Sequence, residues 1–262
     1  MLVYPQLGTG ALSQFPVRKQ HRTRTVANRA ADGSSIKLAD PTGEITEWQL
    51  PYAELSDGEL SALEEFFAAA EGTLQSFTFL DPIGNLLAWS GKLDNNVWAA
   101  EPLLAVAGGI GDPFGGTQAW RLTNRGAAAQ DITQTIAAPG GYLYCLSAYV
   151  RSAQGVTVTL LIGNGRATRT ATNQWTRFAF AWTGDAALSS TRFGLEIPAG
   201  SILDVFGLQV EPQGAPSAYK ATTTGGVFEG ARLADDALQV TTTGVNRHSC
   251  TVNIIQCKAS LI

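Results

Sequence analysis

The sequence contains few of the residues that enzymes and metalloproteins use at reactive centres, with three cysteines and two histidines in 262 residues. An odd number of widely spaced cysteines, at Cys145, Cys250 and Cys257, does not make a disulfide framework. Zinc sites take their ligands from closely spaced pairs. Cys250 and Cys257 are too far apart for that, and His21 and His248 are the available nitrogen donors. We therefore expect reduced, structural cysteines, no metal site and no cofactor.

Charged residues and long apolar runs are also scarce. Charged residues make up 15% of the chain and the formal net charge is −4, so composition gives no argument for nucleic-acid binding. No window approaches 18 consecutive apolar residues, and no membrane insertion is expected. The first residues lack the basic start and apolar run of a signal peptide, which predicts folding in a cytoplasm. The apolar fraction of 45% predicts a substantial core.

Catalytic patterns are missing as well. His21 is flanked by Lys19, Arg22 and Arg24, which disfavour the protonated imidazole that a serine hydrolase needs during turnover. No Gly-x-Ser-x-Gly turn and no phosphate-binding glycine-rich loop is present. A glycosidase needs a pair of carboxylates, and the sequence does not pair the candidates Asp131, Asp185, Glu196, Asp204 and Glu211. We expect no enzymatic activity and no catalytic residues.

The clearest local signal is a helix over residues 56–70. Ser56 and Glu59 have the spacing of a capping box, in which each side chain satisfies a backbone N–H of the other. Gly72 follows where a left-handed residue is favoured. The apolar residues that recur at helical spacing are Leu60, Leu63, Phe66, Phe67 and Ala70. An amphipathic helix that packs onto a sheet is therefore predicted.

Strands are predicted on both sides of this helix. Alternation with period two marks residues 17–26, 36–38, 45–50 and 74–80. The segment 40–43, Asp-Pro-Thr-Gly, has the composition of a turn between two of these strands. The first 95 residues therefore predict a small β-sheet or split barrel that carries one helix.

The composition changes near residue 96, and no helix is predicted from there to residue 219. Short apolar alternations separated by glycine, proline and asparagine predict at least six strands: 117–123, 142–151, 156–162, 175–182, 192–197 and 203–210. Many short strands with regularly spaced turns indicate a jelly-roll β-sandwich. Residues 220–262 return to the first style and are too few for a core of their own. The fold prediction is a mainly β protein in which a discontinuous domain, 1–95 plus 218–262, is interrupted by a β-sandwich, 96–217.

Period two also sorts the sandwich strands into faces. Phe206, Leu208 and Val210 are expected to point inward. We expect six outward residues to share one exposed sheet and to form a carbohydrate-binding site: Tyr149, Arg151, Arg192, Glu196, Gln209 and Glu211. An aromatic ring beside fork-shaped hydrogen-bond donors is suited to a sugar. The alternative is that Arg151, Arg192 and Glu196 form cross-strand ion pairs.

Tryptophans are assigned by the same argument. Trp120 and Trp182 share a face with apolar neighbours and are expected in the core, whereas Trp98 and Trp175 stand at strand starts. The latter two are expected to cover the ends of the sandwich or to line a loop-end sugar site.

A basic run is the strongest local charge signal, and it lies on the first predicted strand: Arg18, Lys19, His21, Arg22, Arg24 and Arg29. Three interpretations remain open, namely a solvated strand, a subunit interface and a surface facing DNA. Aromatic residues do not interleave the charges, so specific nucleic-acid binding is not expected. The candidate interface residues are Arg18, Lys19, Arg22 and Arg24.

Several short motifs of the first 95 residues occur in a characteristic order: Phe15-Pro-Val17, Asp32-Gly33, Trp48-Gln-Leu50, the helix after Leu55, and Phe77-Thr-Phe-Leu-Asp-Pro82 after Gly72. This order resembles the distal tail protein of long-tailed phages and of phage-derived gene transfer particles. The resemblance implies a homo-oligomeric ring, usually a hexamer, at the virion tail tip, where it joins the tail tube protein to the tail hub protein. The basic strand is denser here than in that family.

A second set of motifs lies between residues 119 and 219: Ala119-Trp-Arg-Leu-Thr123, Ser147-Ala-Tyr-Val-Arg151, Trp175-Thr-Arg-Phe178, Phe206-Gly-Leu-Gln-Val-Glu211 and Pro216-Ser-Ala-Tyr219. They resemble the carbohydrate-binding jelly-roll modules of phage structural proteins and secreted glycosidases. The resemblance implies an outward domain that contacts polysaccharide on a host surface. The alternatives are a free-standing carbohydrate-binding adhesin and another minor tail protein, such as a tube terminator or a hub component.

Overall fold

The computed structural model describes residues 2–257, without the side chain of Pro41. The described chain is mainly β and contains one helix, which confirms the predicted fold class. Contacts divide it into two compact units: unit 1 comprises residues 2–8, 13–79 and 228–257, and unit 2 comprises residues 9–12 and 80–227. The described residues contain no helix with the length and apolarity that crossing a membrane requires.

The elements of the described chain are, in order, β1 (Arg18–Arg29), β2 (Ser35–Leu55), α1 (Asp57–Ala70), β3 (Phe77–Leu80), β4 (Ala99–Ala100), β5 (Leu104–Ile110), β6 (Ala119–Asn124), β7 (Gln130–Ile136), β8 (Leu143–Arg151), β9 (Thr157–Ile162), β10 (Gly165–Thr170), β11 (Thr176–Thr183), β12 (Thr191–Ile197), β13 (Ile202–Glu211), β14 (Val227–Leu233), β15 (Val240–Gly244) and β16 (Arg247–Cys257). The six predicted sandwich strands correspond to β6, β8, β9, β11, β12 and β13. The sequence did not predict β4, β5, β7 or β10.

Unit 1 is a sheet of order β1-β2-β16-β14-β3, with β15 paired to β16. Helix α1 contributes an apolar face to the core of this unit, as predicted. Aromatic rings fill that core: Tyr4 and Phe66 lie 5.1 Å apart, and Phe66 and Phe77 lie 4.9 Å apart, both edge to face. Such pairs add to the stabilisation that area burial alone provides.

The helix ends agree with the sequence signals. The Oγ of Ser56 accepts from the N–H of Glu59 at 3.3 Å, and Oε2 of Glu59 accepts from the N–H of Ser56 at 3.0 Å. At the other end, Glu71 and Gly72 are both left-handed, with φ values of 50° and 61°. The capping box is therefore confirmed, and the left-handed C terminus begins one residue earlier than predicted.

The turn predicted at residues 40–43 is wrong, because β2 continues through it. Arg22 of β1 lies opposite Ile45, and Arg24 lies opposite Asp40, so residues 41–44 bulge. A Cβ at Gly43 would lie 2.6 Å from the Cβ of Arg24, so a glycine is needed where the strands approach. The result is one long hairpin, and we call its solvent-exposed part, residues 20–39, the hairpin arm.

Unit 2 is a sandwich of two five-stranded antiparallel sheets. The β8 sheet has the order β11-β8-β13-β6-β5, and the β9 sheet has the order β10-β9-β12-β7-β4. Their facing sides form the core, where the rings of Tyr144 in β8 and Phe193 in β12 lie 5.2 Å apart. The predicted β-sandwich is present.

Segments 80–95 and 218–227, which the sequence analysis assigned to the first domain, belong to unit 2. Asn85 shows why: its Nδ2 donates to the carbonyl of Leu208 at 3.0 Å, and its Oδ1 accepts from the N–H of Val210 at 3.0 Å. Asn85 is fully buried, so these bonds satisfy polar groups inside the sandwich.

The capping box yields a stability prediction. Replacing Ser56 with alanine removes an acceptor for a helix N–H, and we expect a loss of about 1 kcal/mol of unfolding free energy. Urea denaturation measures this loss, and hydrogen exchange should become faster at the Glu59 amide. Ser61→Ala, an exposed position within the same helix, is the matched control. Equal effects of the two substitutions would contradict a capping role.

Candidate functional site

The outer face of the β8 sheet, turned away from the β9 sheet, places aromatic and charged side chains side by side. Across the strands, Tyr149 lies opposite both Arg177 and Phe206, and Asp204 lies opposite both Arg151 and Arg121. These registers bring four strands, β11, β8, β13 and β6, to one surface. We call this surface the outer face.

A bulge in β13 decides which of its residues reach the outer face. Phe206 pairs with Tyr149, but the next registered pair is Gln209 with Ser147. Gly207 lies at the break with φ 67°, a conformation that favours glycine. The prediction that Phe206 points inward is therefore wrong, because the bulge shifts the alternation by one residue.

An aromatic cluster occupies the middle of the outer face. The ring of Phe114 packs edge to face on Tyr149 at 5.6 Å and on Phe206 at 5.8 Å. Phe206 in turn packs on Tyr219 at 5.2 Å. Phe114 nevertheless remains 70% exposed, so the cluster offers an apolar ring to solvent.

A charged trio adjoins the cluster. Oδ1 of Asp204 accepts from Nε of Arg121 at 2.7 Å, and Oδ2 accepts from Nη2 of Arg121 at 3.1 Å and from Nε of Arg151 at 3.0 Å. Desolvation raises the pKa of Asp204, but hydrogen bonds and charge from the two arginines outweigh it and hold the pKa below its usual value. Hydrogen bonding to Asp204 raises the pKa of Arg121. Asp204 is therefore ionised at neutral pH.

A pocket of about 360 Å³ opens at this trio. Besides the three charged residues, its lining includes Ser152, Gln154 and Asn173. The guanidinium carbon of Arg151 lies 4.7 Å from the centroid of the Trp175 ring, which fixes the plane of the guanidinium. The pocket therefore combines fixed charged donors with neutral hydrogen-bonding groups.

The structure brings together four of the six predicted sugar-binding residues, but two of these four are buried. Tyr149 and Arg151 lie half-exposed on the outer face, whereas Gln209 and Glu211 are buried on it. The prediction that Gln209 and Glu211 are exposed is therefore wrong. The segment 217–220 covers them: Oε2 of Glu211 accepts from the N–H of Ser217 at 2.8 Å, and Oε1 of Gln209 accepts from the N–H of Lys220 at 2.7 Å.

The other two predicted residues, Arg192 and Glu196, lie on β12 in the β9 sheet. Arg192 is paired with Asp131, and Glu196 with Arg166. The expectation that all six residues share one sheet is therefore wrong, because period two reports the face of a strand and not the sheet to which it belongs. At these two positions the ion pairs of the alternative are present, and the same holds for Arg151, which pairs with Asp204 on the neighbouring strand.

The tryptophan predictions for the core are also corrected. Trp182 is exposed, and it covers Gly165, where a Cβ would lie 2.4 Å from the indole Cδ1. Trp120 is half-buried and donates its indole N–H to the carbonyl of Gly91 at 2.9 Å. Together with Trp89, it lines a second pocket of about 490 Å³.

The candidate interface residues of β1 make contacts within unit 1. Arg22 pairs with Glu47 at 2.9 Å, and Nε of Arg24 donates to Asp40 at 2.6 Å. The Nζ of Lys19 lies 5.3 Å from the centroid of the Trp48 ring. Arg18 is exposed at the start of the strand. The basic run is therefore partly neutralised by its own sheet.

The thiols and acidic side chains of residues 2–257 form neither a disulfide nor a metal-binding group. Cys145 and Cys250 are buried, and Cys257 is exposed; all three are free. Burial raises the pKa of the Cys145 and Cys250 thiols to about 11, which makes them unreactive at neutral pH. Within the same range, no three His, Cys, Asp or Glu side chains are grouped as a metal ion would require.

Three further residues lie on the outer face without having been predicted there: Arg121, Asp204 and Phe114. The outward position of Arg121 could have been predicted, because Arg121 lies between Trp120 and Leu122, which were assigned to the core face. The bulge hid Asp204, and Phe114 lies in a loop without periodicity.

No protein-family model matches the sequence, and no curated protein matches it. Among solved structures, the chain is similar to the enzymatically active domain of tailspike protein 4 from bacteriophage CBA120, with 13% identity and a TM-score of 0.39. The match covers 51% of this chain and only 22% of the tailspike domain.

The chain is also similar to two carbohydrate-binding modules. One is the xylan-binding domain CBM22-1 from Paenibacillus barcinonensis, with 16% identity, a TM-score of 0.42, and coverage of 52% of this chain and 99% of that domain. The other is TmCBM61, solved in complex with β-1,4-galactotriose, with 12% identity, a TM-score of 0.37, and coverage of 48% and 97%.

The loop that carries Phe114 yields a prediction. The carboxylate of Asp112 accepts from the N–H groups of Phe114, Gly116 and Gln118 at 2.9, 3.0 and 3.1 Å. We expect Asp112→Ala to accelerate hydrogen exchange at these amides several-fold. Asp185→Ala, which removes an acceptor from the N–H of Ala187 in another loop, should leave them unchanged.

The same loop should respond to acid in a defined direction. Desolvation raises the pKa of Asp112, but the three backbone N–H donors outweigh it, and the pKa lies below its usual value. The order that the ionised carboxylate provides is therefore kept as the pH falls to about 4 and is lost only below that. Loss of protection at these amides already at pH 5, measured relative to the intrinsic exchange rate at that pH, would contradict this account.

Proposed function

We propose that unit 2 binds a polysaccharide on the outer face of the β8 sheet. The observation that carries this proposal is Phe114, a ring that is 70% exposed yet held in place by Tyr149 and Phe206. A fixed, exposed aromatic ring is a stacking surface for the apolar face of a sugar. The adjoining Arg121 and Arg151 supply hydrogen-bond donors in a fixed geometry.

On this proposal, unit 2 is an adhesive module and not an enzyme. Asp204 and Glu211, which are carboxylates of the outer face, are already engaged, Asp204 by two arginines and Glu211 by Ser217. A glycosidase needs one carboxylic acid and one carboxylate free to act on either side of the scissile bond. The arrangement supports recognition without covalent chemistry.

The proposal is tested with Phe114→Ala. We expect binding to a recognised polysaccharide to weaken roughly tenfold, since truncating an aromatic anchor costs about 1–2 kcal/mol. Isothermal titration against ligands found on a glycan array measures the change. Phe15→Ala is the matched control, because Phe15 is 73% exposed and belongs to unit 1. A wild-type protein that binds no glycan on the array would refute the proposal.

A second function is favoured by a separate observation on the hairpin arm. Val26 lies opposite Leu38, and Ile36 is two residues from Leu38, so the three apolar side chains share one face. All three are exposed. A two-stranded ribbon with an uncovered apolar face is marginally stable in water. We propose that this face is covered by another copy of the chain.

Self-association through the arm is the step that the tail-ring hypothesis requires. The uncovered apolar face of the arm and the order of motifs in the first 95 residues support the proposal of a homo-oligomeric ring, a hexamer in the family that the sequence resembles. The partners on this proposal are the tail tube protein and the tail hub protein, and the location is the virion tail tip. The polysaccharide bound by unit 2 would then belong to a host surface.

The test of self-association uses two neighbouring positions on β1. Val26→Lys places a charge on the apolar face of the arm, and we expect the mass measured by light scattering to fall towards that of a single chain. Thr25→Lys is the matched control, because Thr25 lies opposite Ala39 on the other face and is also exposed. A wild-type protein that is monomeric at high concentration would overturn the ring.

A further inference from the structure

We infer that the polysaccharide recognised by the outer face is acidic, and that Arg121 and Arg151 together bind one of its carboxylate groups. This inference rests on the proposed function, because it assigns a ligand class to the same face. It follows from two features of the pocket: two arginines face one aspartate, and the arginines are more exposed than the aspartate.

The charged trio has unequal exposure. The side chain of Asp204 is 7% exposed, whereas those of Arg121 and Arg151 are 46% and 32% exposed. The single negative charge lies at the base of the pocket, and two positive charges are presented above it. The trio therefore carries a net charge of about +1 where a ligand would enter.

Asp204 also fixes which edges of the guanidinium groups remain available. It accepts from Nε and Nη2 of Arg121 and from Nε of Arg151. Within residues 2–257, Nη1 of Arg121 and both Nη atoms of Arg151 have no hydrogen-bond partner in the protein. Guanidinium edges of this kind match the two oxygens of a carboxylate.

The rest of the pocket neither cancels this charge nor lets Arg151 turn away. Asp204 is the only acidic residue in the described lining, where Ser152, Gln154 and Asn173 offer neutral groups. Trp175 stacks against the guanidinium of Arg151. The free edge of the Arg151 guanidinium therefore keeps a fixed direction, and Arg151 loses little side-chain freedom when a ligand binds.

Other described ion pairs of unit 2 do not share this imbalance. Arg166 pairs with Glu196, and Arg192 pairs with Asp131, so each arginine there has its own carboxylate. At the pocket, two arginines share one carboxylate. A ligand carboxylate would restore the one-to-one balance that these pairs show.

The experiment compares ligands that differ only in charge. Uronic-acid oligosaccharides of several backbones are titrated into the full-length protein, each beside its methyl ester, with neutral xylan and sulfated dextran alongside. We expect esterification to weaken binding roughly tenfold or more, because a charge-assisted bidentate contact is lost. Binding of the acid should also weaken as salt is raised.

Protein variants complete the design. Arg121→Gln should reduce binding of the acid about tenfold and leave binding of the ester unchanged, and Arg121→Lys should be intermediate because it keeps the charge but not the fork. Arg166→Gln, in the other sheet, is the matched control. Thermal unfolding of each variant shows that the fold is intact.

The outcomes separate this inference from the proposed function. Equal binding of acid and ester, or binding of neutral xylan alone, overturns the inference and leaves the polysaccharide site standing. Tighter binding of sulfated dextran than of every uronate overturns the carboxylate assignment. Binding to none of these ligands, nor to any glycan on the array, overturns both.

Discussion

The bulge at Gly207 decides which side chains of β13 lie on the outer face. The positive φ of Gly207 interrupts the strand, so Asp204 and Phe206 before it and Gln209 and Glu211 after it all lie on the outer face. An uninterrupted strand would turn one of these two pairs towards the core. A residue with a side chain at position 207 would have a strained backbone, and its Cβ would lie 3.1 Å from Cγ of Tyr219. The bulge at this one backbone position is what lets the charged trio and the aromatic cluster share the outer face with Gln209 and Glu211.

The outer face is divided into a closed half and an open half. Gln209 and Glu211 are buried under the segment 217–220, where Nε2 of Gln209 donates to Oε2 of Glu211 at 2.7 Å. A buried carboxylate is tolerated only when donors surround it, and Ser217 supplies two more. In the closed half, polar groups satisfy one another. In the open half, donors outnumber acceptors, and that surplus is what a ligand can use.

Local signals were predictable from the sequence, and long-range ones were not. The capping box at Ser56 involves neighbours in the chain, so helix α1 was found almost to the residue. Arg192 and Glu196 were assigned to the correct kind of surface but the wrong sheet, because strand partners are chosen by tertiary packing. Strands β7 and β10 were missed because their alternation is largely of polar residues, as in Gln-Asp-Ile-Thr-Gln-Thr-Ile. The bulges at residues 41–44 and at Gly207 leave no periodic signal, and the second one places Asp204 and Phe206 on the face opposite to the predicted one.

Polysaccharide binding is proposed for unit 2 and self-association for the hairpin arm of unit 1. The second would strengthen the first. The pocket at the charged trio, about 360 Å³, is small for a ligand site, and its electrostatic attraction is screened beyond roughly 8 Å at physiological ionic strength. A single such site therefore gives weak binding. Self-association through the hairpin arm would present several copies to one polymer, and a repeating polysaccharide offers an equal number of ligands. The effective concentration that linkage provides then raises avidity without any new contact. If both proposals hold, assembly through the apolar arm compensates for the weakness of charge-based recognition at a single site.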